Sequence, residues 1–167
     1  DVTRREEAEA ALRERESRFR TLFEESSDAV LLLEGNKVID CNRATQRMLH
    51  SEEKQRILET TLGGLSPRKQ PDGCLSAQKA KDEIAVARQK KSHRFEWMLS
   101  RFDGEDFPVE ITITVITLKG KEILYVVLRD ITAWKETEEA LLRIKDELED
   151  RVGQRTAELV AVNDQLR

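Results

Sequence analysis

The hydrophobic positions along the chain switch repeatedly between a helical and a strand rhythm. Over residues 3–25, Ala8, Leu12, Arg15, Phe19 and Leu22 recur at 4-3-4-3 spacing, a heptad-like seam that Arg15 interrupts. Thr3 and Glu6 have the spacing of a capping box at its start. Ser26, Ser27 and Asp28 then break the helix. The apolar run 29–33 predicts a strand, Gly35 and Asn36 a turn, and residues 37–41 the returning strand of a hairpin. Asn42 stands where it can cap a short helix carrying Ala44, Met48 and Leu49. A second helical piece is predicted over residues 51–59, with Ile57 and Leu58. Residues 61–73 hold prolines and glycines and predict a loop. Residues 76–91 read as an amphipathic helix with Ala80, Ile84 and Ala87 inward.

Strand periodicity returns in three runs. Phe95, Trp97 and Leu99 share one face of residues 93–99, and Asp103-Gly104 predicts a hairpin turn. Val109, Ile111, Ile113 and Val115 alternate with Glu110, Thr112 and Thr114. The last strand follows the turn at Lys119-Gly120-Lys121. Its Tyr125-Val126-Val127-Leu128 is apolar on both faces, which predicts cover on both sides of the sheet. Short middle helices would cover one side and the N-terminal helix part of the other.

This last strand runs without Gly or Pro into a long charged helix, and Asp130, Ile131 and Thr132 mark the junction. The short polar side chain of Thr132 fits an N-cap. Beyond it, Leu141, Ile144, Leu148, Val152, Leu159, Val162 and Leu166 form a heptad seam with a four-residue stutter around Gly153, where a supercoil would locally unwind. A lone helix with so few apolar residues is marginal in water, so the tail is expected to pair as a parallel two-stranded coiled coil in a homodimer. The junction also has an echo. When Asp1 is aligned on Asp130, Thr3 falls on Thr132, Glu7 on Glu136, Ala11 on Ala140 and Leu12 on Leu141. This predicts that the chain starts at the end of a preceding, similar domain in a tandem array.

Composition narrows the function. Charged residues make up 37% of the 167 positions and hydrophobic ones 38%, with a net charge of −4. Both signs interleave, so no nucleic-acid surface is expected. The apolar run 29–33 is too short to span a bilayer, and no signal peptide is visible; no membrane contact is expected and a cytoplasmic setting is the default, although a span elsewhere in a longer protein would change the anchoring. Cys41 and Cys74 make neither a metal-ligand spacing nor a disulfide framework. There is no Gly-rich phosphate loop, metal cluster or nucleophile–base–acid set, so no catalytic residue is assigned and the chain is not expected to be an enzyme.

Two strands, short helices, a longer helix, three strands and an Asp-Ile-Thr exit resemble the PAS domain of bacterial sensor proteins. The matching stretches are residues 19–26, 42–44, 65–73, 93–97, 103–109 and 129–132. The resemblance implies an α+β fold: a five-stranded antiparallel sheet with short helices on one face, flanked by an N-terminal amphipathic helix and a C-terminal coiled-coil helix. It divides the chain into an N-terminal signalling helix (1–24), a PAS core (25–131) and a linker to an output domain (132–167). Residues 148–159 look like the connector before the phosphoacceptor helices of histidine kinases, and similar connectors precede diguanylate cyclases.

The implied function is sensory relay to an output domain, a histidine kinase first and a diguanylate cyclase as the alternative. Asp130, Ile131 and Thr132 would pass the signal. A ligand pocket between sheet and short helices would be lined by Leu32, Cys41, Met48, Leu58, Ile84, Phe95, Trp97, Ile113, Val115, Tyr125 and Val127. These residues serve equally as an ordinary packed core, and none of them indicates a ligand's chemistry. A ligand-free dimerisation spacer and a protein-docking module are the other readings. Haem is not expected, because residues 76–91 contain no His, and His50 and His93 read as surface or hydrogen-bonded residues. Flavin is not expected either: light sensors of this fold carry Asn-Cys-Arg-Phe on a helix, whereas Cys41-Asn42-Arg43 inverts the first pair at a strand end.

Overall fold

Alternating apolar residues pair into one antiparallel sheet. The computed structural model describes residues 1–166, so Arg167, the last residue of the expected helical tail, lies outside the described residues. The elements run α1 (Val2–Glu25), β1 (Ala29–Glu34), β2 (Lys37–Cys41), α2 (Arg43–Met48), a 3₁₀ turn (Lys54–Arg56), α3 (Ser76–Lys90), β3 (Ser92–Ser100), β4 (Asp106–Leu118), β5 (Lys121–Asp130) and α4 (Thr132–Gln165). The strand order is β2-β1-β5-β4-β3. The chain divides into two units, Asp1–Asp130 and the segment from Ile131 onward.

Within the first unit, the inward faces of the strands form the main core. Leu31, Leu99, Ile111 and Ile113 are fully buried there, under Ala80, Ile84 and Ala87 of α3. A smaller cluster on the opposite face joins Val30, Leu32 and Ile123 to Phe23 of α1, with Ile116 and Tyr125 against it. So α1 does cover part of the second face, but through Phe23. The predicted seam residues Ala8, Leu12, Arg15, Phe19 and Leu22 are exposed. Phe19 only stacks on Phe23, 5.9 Å between ring centres.

Each sheet edge is partly covered, which blunts it against edge-to-edge association. Residues 51–59 do not form the expected helix but a single 3₁₀ turn. The reason is the edge of β2. Val38 donates to Thr60 O at 2.8 Å and accepts from Glu59 N at 2.8 Å, which an α-helix there would prevent. On β3, the buried Gln70 side chain accepts from Met98 N (2.8 Å) and donates to Met98 O (3.1 Å), imitating one more strand residue.

Helix starts also differ from expectation. α1 begins at Val2 with Asp1 at the N-cap position, so Thr3 lies inside the helix and no capping box forms. With no breaker before Arg4, the helix simply extends back over it. Asn42 caps α2 as expected, accepting from Thr45 N at 3.1 Å. Asp103-Gly104 lies in the turn of the β3–β4 hairpin, as expected. Residues 101–105 form a loop closed by Arg101 N donating to Glu105 O at 2.8 Å. The tight turn is Lys119-Gly120, with φ of 50° and 76°, a geometry that suits hairpins.

Candidate functional site

At the junction Asp130–Thr132 a single residue separates β5 from α4. α4 starts at Thr132 and Ile131 holds the N-cap position, not Thr132. The helical turn begins one residue early, where Lys135 N donates to Ile131 O at 2.9 Å. Asp130 belongs to the first unit, and its Oδ2 accepts from Arg101 Nη2 at 3.1 Å. Arg101 was not singled out from the sequence. It lies in the β3–β4 loop with its side chain only 12% exposed. The guanidinium lies over the Phe107 ring at 3.8 Å and also donates to Glu105 at 3.1 Å and to Met48 O. A planar fork spreads five N–H groups over three nitrogens and so reaches three separated partners, whereas an ammonium's three donors radiate from one nitrogen.

A second polar centre sits at the other end of α2. Asn42 is fully buried. Its Oδ1 accepts from Val30 N (3.0 Å) and Thr45 N (3.1 Å) and lies 2.9 Å from Thr45 Oγ1, while its Nδ2 donates to Phe23 O (3.0 Å) and Asp28 O (2.8 Å). One amide therefore joins α1, the following loop, β1 and α2. Sequence showed its capping role but not its reach to α1.

Beside it, α1 is held by charges. Lys54 Nζ contacts Asp40 at 2.6 Å and Glu24 at 3.2 Å, and Arg20 contacts Asp40 at 3.3 Å. Burial works to lower the Lys54 pKa, but hydrogen bonds and charges from Asp40 and Glu24 outweigh it and raise it above the ordinary lysine value. Arg43, the first residue of α2, pairs with Glu25, the last of α1, at 3.1 Å.

The predicted pocket residues do not share one space. Cys41, Ile84, Trp97 and Ile113 belong to the main core, and Met48, Leu58, Phe95 and Val115 pack against it. Leu32 and Tyr125 are instead in the opposite cluster with Phe23. Val127 pairs across from Val30 of that cluster, on the same face. Tyr125 and Val127 share one face of β5, and because β5 is apolar on both faces its pattern does not tell which one meets the main core, where Leu124, Val126 and Leu128 lie instead. Among the main-core residues, the Phe95 and Trp97 rings meet edge to face at 5.8 Å, and Trp97 Nε1 donates to Ser66 Oγ at 2.7 Å. A recess of ≈ 70 Å³ lined by Thr61, Leu62, Gly63, Ala77, Ala80 and Ile84 lies between the 61–73 loop and α3.

The histidines have structural partners, and both cysteines are free thiols. His50 Nδ1 lies 2.6 Å from Asp103, and that hydrogen bond holds the Asp103 carboxyl below its usual range. His50, Asp103 and Glu105 offer ligand atoms within 4.8 Å of one another. All three are exposed, and Glu105 is already taken by Arg101, so the trio is better read as a loop brace. His93 Nε2 lies 2.6 Å from Glu83, with its ring stacked on Phe95. Burial pushes the Cys41 thiol up to about 11, so its thiolate is disfavoured, while Cys74 is exposed.

A family model described as PAS domain matches residues 27–133. No curated protein sequence matches the chain. Among solved structures, the chain is similar to the PAS domain of an HTR-like protein from Haloarcula marismortui. The identity is 21% and the TM-score 0.64, over 75% of this chain and 99% of that one. It is also similar to a PAS domain from a two-component sensor histidine kinase (22% identity, TM-score 0.57, 70% and 97% covered). The PAS domain of nitrogen regulation protein NR(II) from Vibrio parahaemolyticus is a further neighbour (19%, TM-score 0.52, 67% and 96% covered). At these identities the structural likeness speaks to the fold.

Proposed function

This chain belongs to the PAS domain family, a family of sensory modules without catalysis of their own, and from that premise we propose that it relays a signal through α4 to an output domain. The observation that carries this reading is the single-residue passage from β5 to α4 beside an Asp130 held by Arg101. A displacement of the sheet's central strand has no flexible segment in which to dissipate. It would reach α4 as rotation, tilt or a change of register.

The partner we propose for α4 is a second copy of the chain, in a cytoplasmic homodimer paired through its N- and C-terminal helices. Leu141, Ile144, Leu148, Val152, Leu159 and Val162 are all exposed along one helix, a seam that a parallel twin would bury. No described helix is long and apolar enough to cross a membrane. A histidine kinase is the output favoured by the connector-like residues 148–159, with a diguanylate cyclase as the alternative. The test is Asp130→Ala and Thr132→Ala in the full-length protein. Each is expected to change output while the isolated domain stays folded by circular dichroism; unchanged output in both would end the relay reading.

The packing of Phe95 against Trp97 favours a second reading, a ligand-free dimerisation module. Native mass spectrometry of freshly purified protein separates the two. Extra bound mass supports a ligand-responsive sensor in the main core, and its absence at saturating metabolite extract supports the ligand-free module.

A further inference from the structure

α2 is fastened at both ends, and the two ends point to different parts of the signalling path. At its N-terminus, Asn42 Nδ2 donates to Phe23 O in the last turn of α1, one of the carbonyls a helix end leaves without an internal partner. Arg43 adds the ion pair to Glu25. At its C-terminus, Met48 O accepts from Arg101 Nη1 and Leu49 O accepts from Phe102 N at 2.9 Å. The same guanidinium holds Asp130. Between these ends, Ala44 and Thr45 are buried, and Thr45 Oγ1 lies 2.9 Å from both Val30 O and Asn42 Oδ1, with one hydrogen to give to either. A hydrogen-bonded helix of this length is a short stiff rod, ~9 Å long at 1.5 Å per residue.

Resting on the relay reading above, we propose that α2 is a strut that couples the seat of α1 to Asp130, with Asn42 and Arg101 as its two end joints. A signal entering through α1 then has a route to the β5–α4 junction that bypasses the sheet pairing of β1 with β5. Arg101 is a positioning residue here. Its part is to make Met48 O and Asp130 move together, and Arg101→Lys, which keeps the charge, cannot hold both.

Hydrogen exchange read by mass spectrometry on the 167-residue chain tests this. In Arg101→Gln and Arg101→Lys, residues 18–25 of α1 and residues 131–137 are both expected to exchange about fivefold or more faster, the lower end of ordinary coupling between sites. Residues 107–116 of β4 serve as the control and are expected to hold their rate. Faster exchange at 131–137 with α1 unchanged would overturn the strut, leaving Arg101 as a local brace. Equal acceleration in β4 would overturn it too, as plain loss of stability. Should both Arg101 variants fail to fold, Asn42→Ser keeps an N-cap acceptor for α2 and removes the amide donation to Phe23 O at the opposite joint. It is expected to speed exchange at 131–137, and an unchanged rate there would refute the coupling. Failure of the strut leaves the Asp130→Ala and Thr132→Ala output test standing, because that test needs no contact from α2.

Discussion

Residues 1–130 and the helix after them use apolar side chains in opposite ways. In the first unit, Leu31, Leu99, Ile111 and Ile113 have no exposure at all. In α4, Leu141 is 62% and Leu159 69% exposed, and no residue of the helix is buried. The first unit closes its own core and covers part of each sheet edge, and among the described residues no buried side-chain nitrogen or oxygen lacks a hydrogen-bond partner. α4 has the spacing of a buried seam without the burial. One region buries its own apolar side chains; the other leaves them exposed along a seam.

The comparison breaks most severely if the core tolerates a cavity. Ile111→Ala is expected to cost ~2–5 kcal/mol, read as a lowered urea midpoint, because a fully buried side chain leaves a void the sheet cannot collapse into. A seam substitution should behave in the opposite manner. Leu148→Asp is expected to abolish self-association in sedimentation experiments while shifting the stability of the first unit by no more than ~0.5 kcal/mol. A folded dimer surviving Leu148→Asp would remove the contrast drawn here.

Cys41 sharpens the description of the core by pH. Its pKa is raised from 9.0 to about 11 by burial, so the folded state retains the thiol proton where the unfolded chain has lost it. That contribution is fully present below pH 9.0 and is lost as pH rises from 9.0 through about 11. Cys41→Ala is expected to flatten this part of the stability profile. In the native protein a thiol reagent should modify exposed Cys74 quickly and Cys41 only after denaturation. The smallest effect concerns α4 alone. A Cβ at Gly153 would meet nothing within 4 Å, so Gly153→Ala is expected to add ~1 kcal/mol of helix stability, seen as a higher melting temperature of the helical signal.

Much of the fold was legible because it rests on short-range rules. The strand alternations at Phe95, Trp97 and Leu99 and at Val109 to Val115 reappear as paired strands, and Asn42 caps α2 as its position suggested. The misses share a cause. Residues 51–59 carry helical spacing but serve the edge of β2, and a local pattern holds no information about an edge formed elsewhere. The same is true of Phe23, which docks α1 although the seam ran through Leu22. The pocket residues were split between faces because Leu32, Tyr125 and Val127 lie in strands that are apolar on both sides. Arg101 carried no signal of its own; an arginine in a loop has many uses, and only its three partners single it out.

What the sequence determined alone was periodicity: the five strands and the longer helices, where β5 passes into α4, and that α4 bears a seam. Only the tertiary structure decided which apolar faces meet, which polar groups partly cover the edges, and that one short helix links Phe23 to Asp130 through Asn42 and Arg101. The physical reason is range. Propensity, capping and alternation act within a few residues, whereas a buried amide or guanidinium finds its partners among chain segments that only folding brings together.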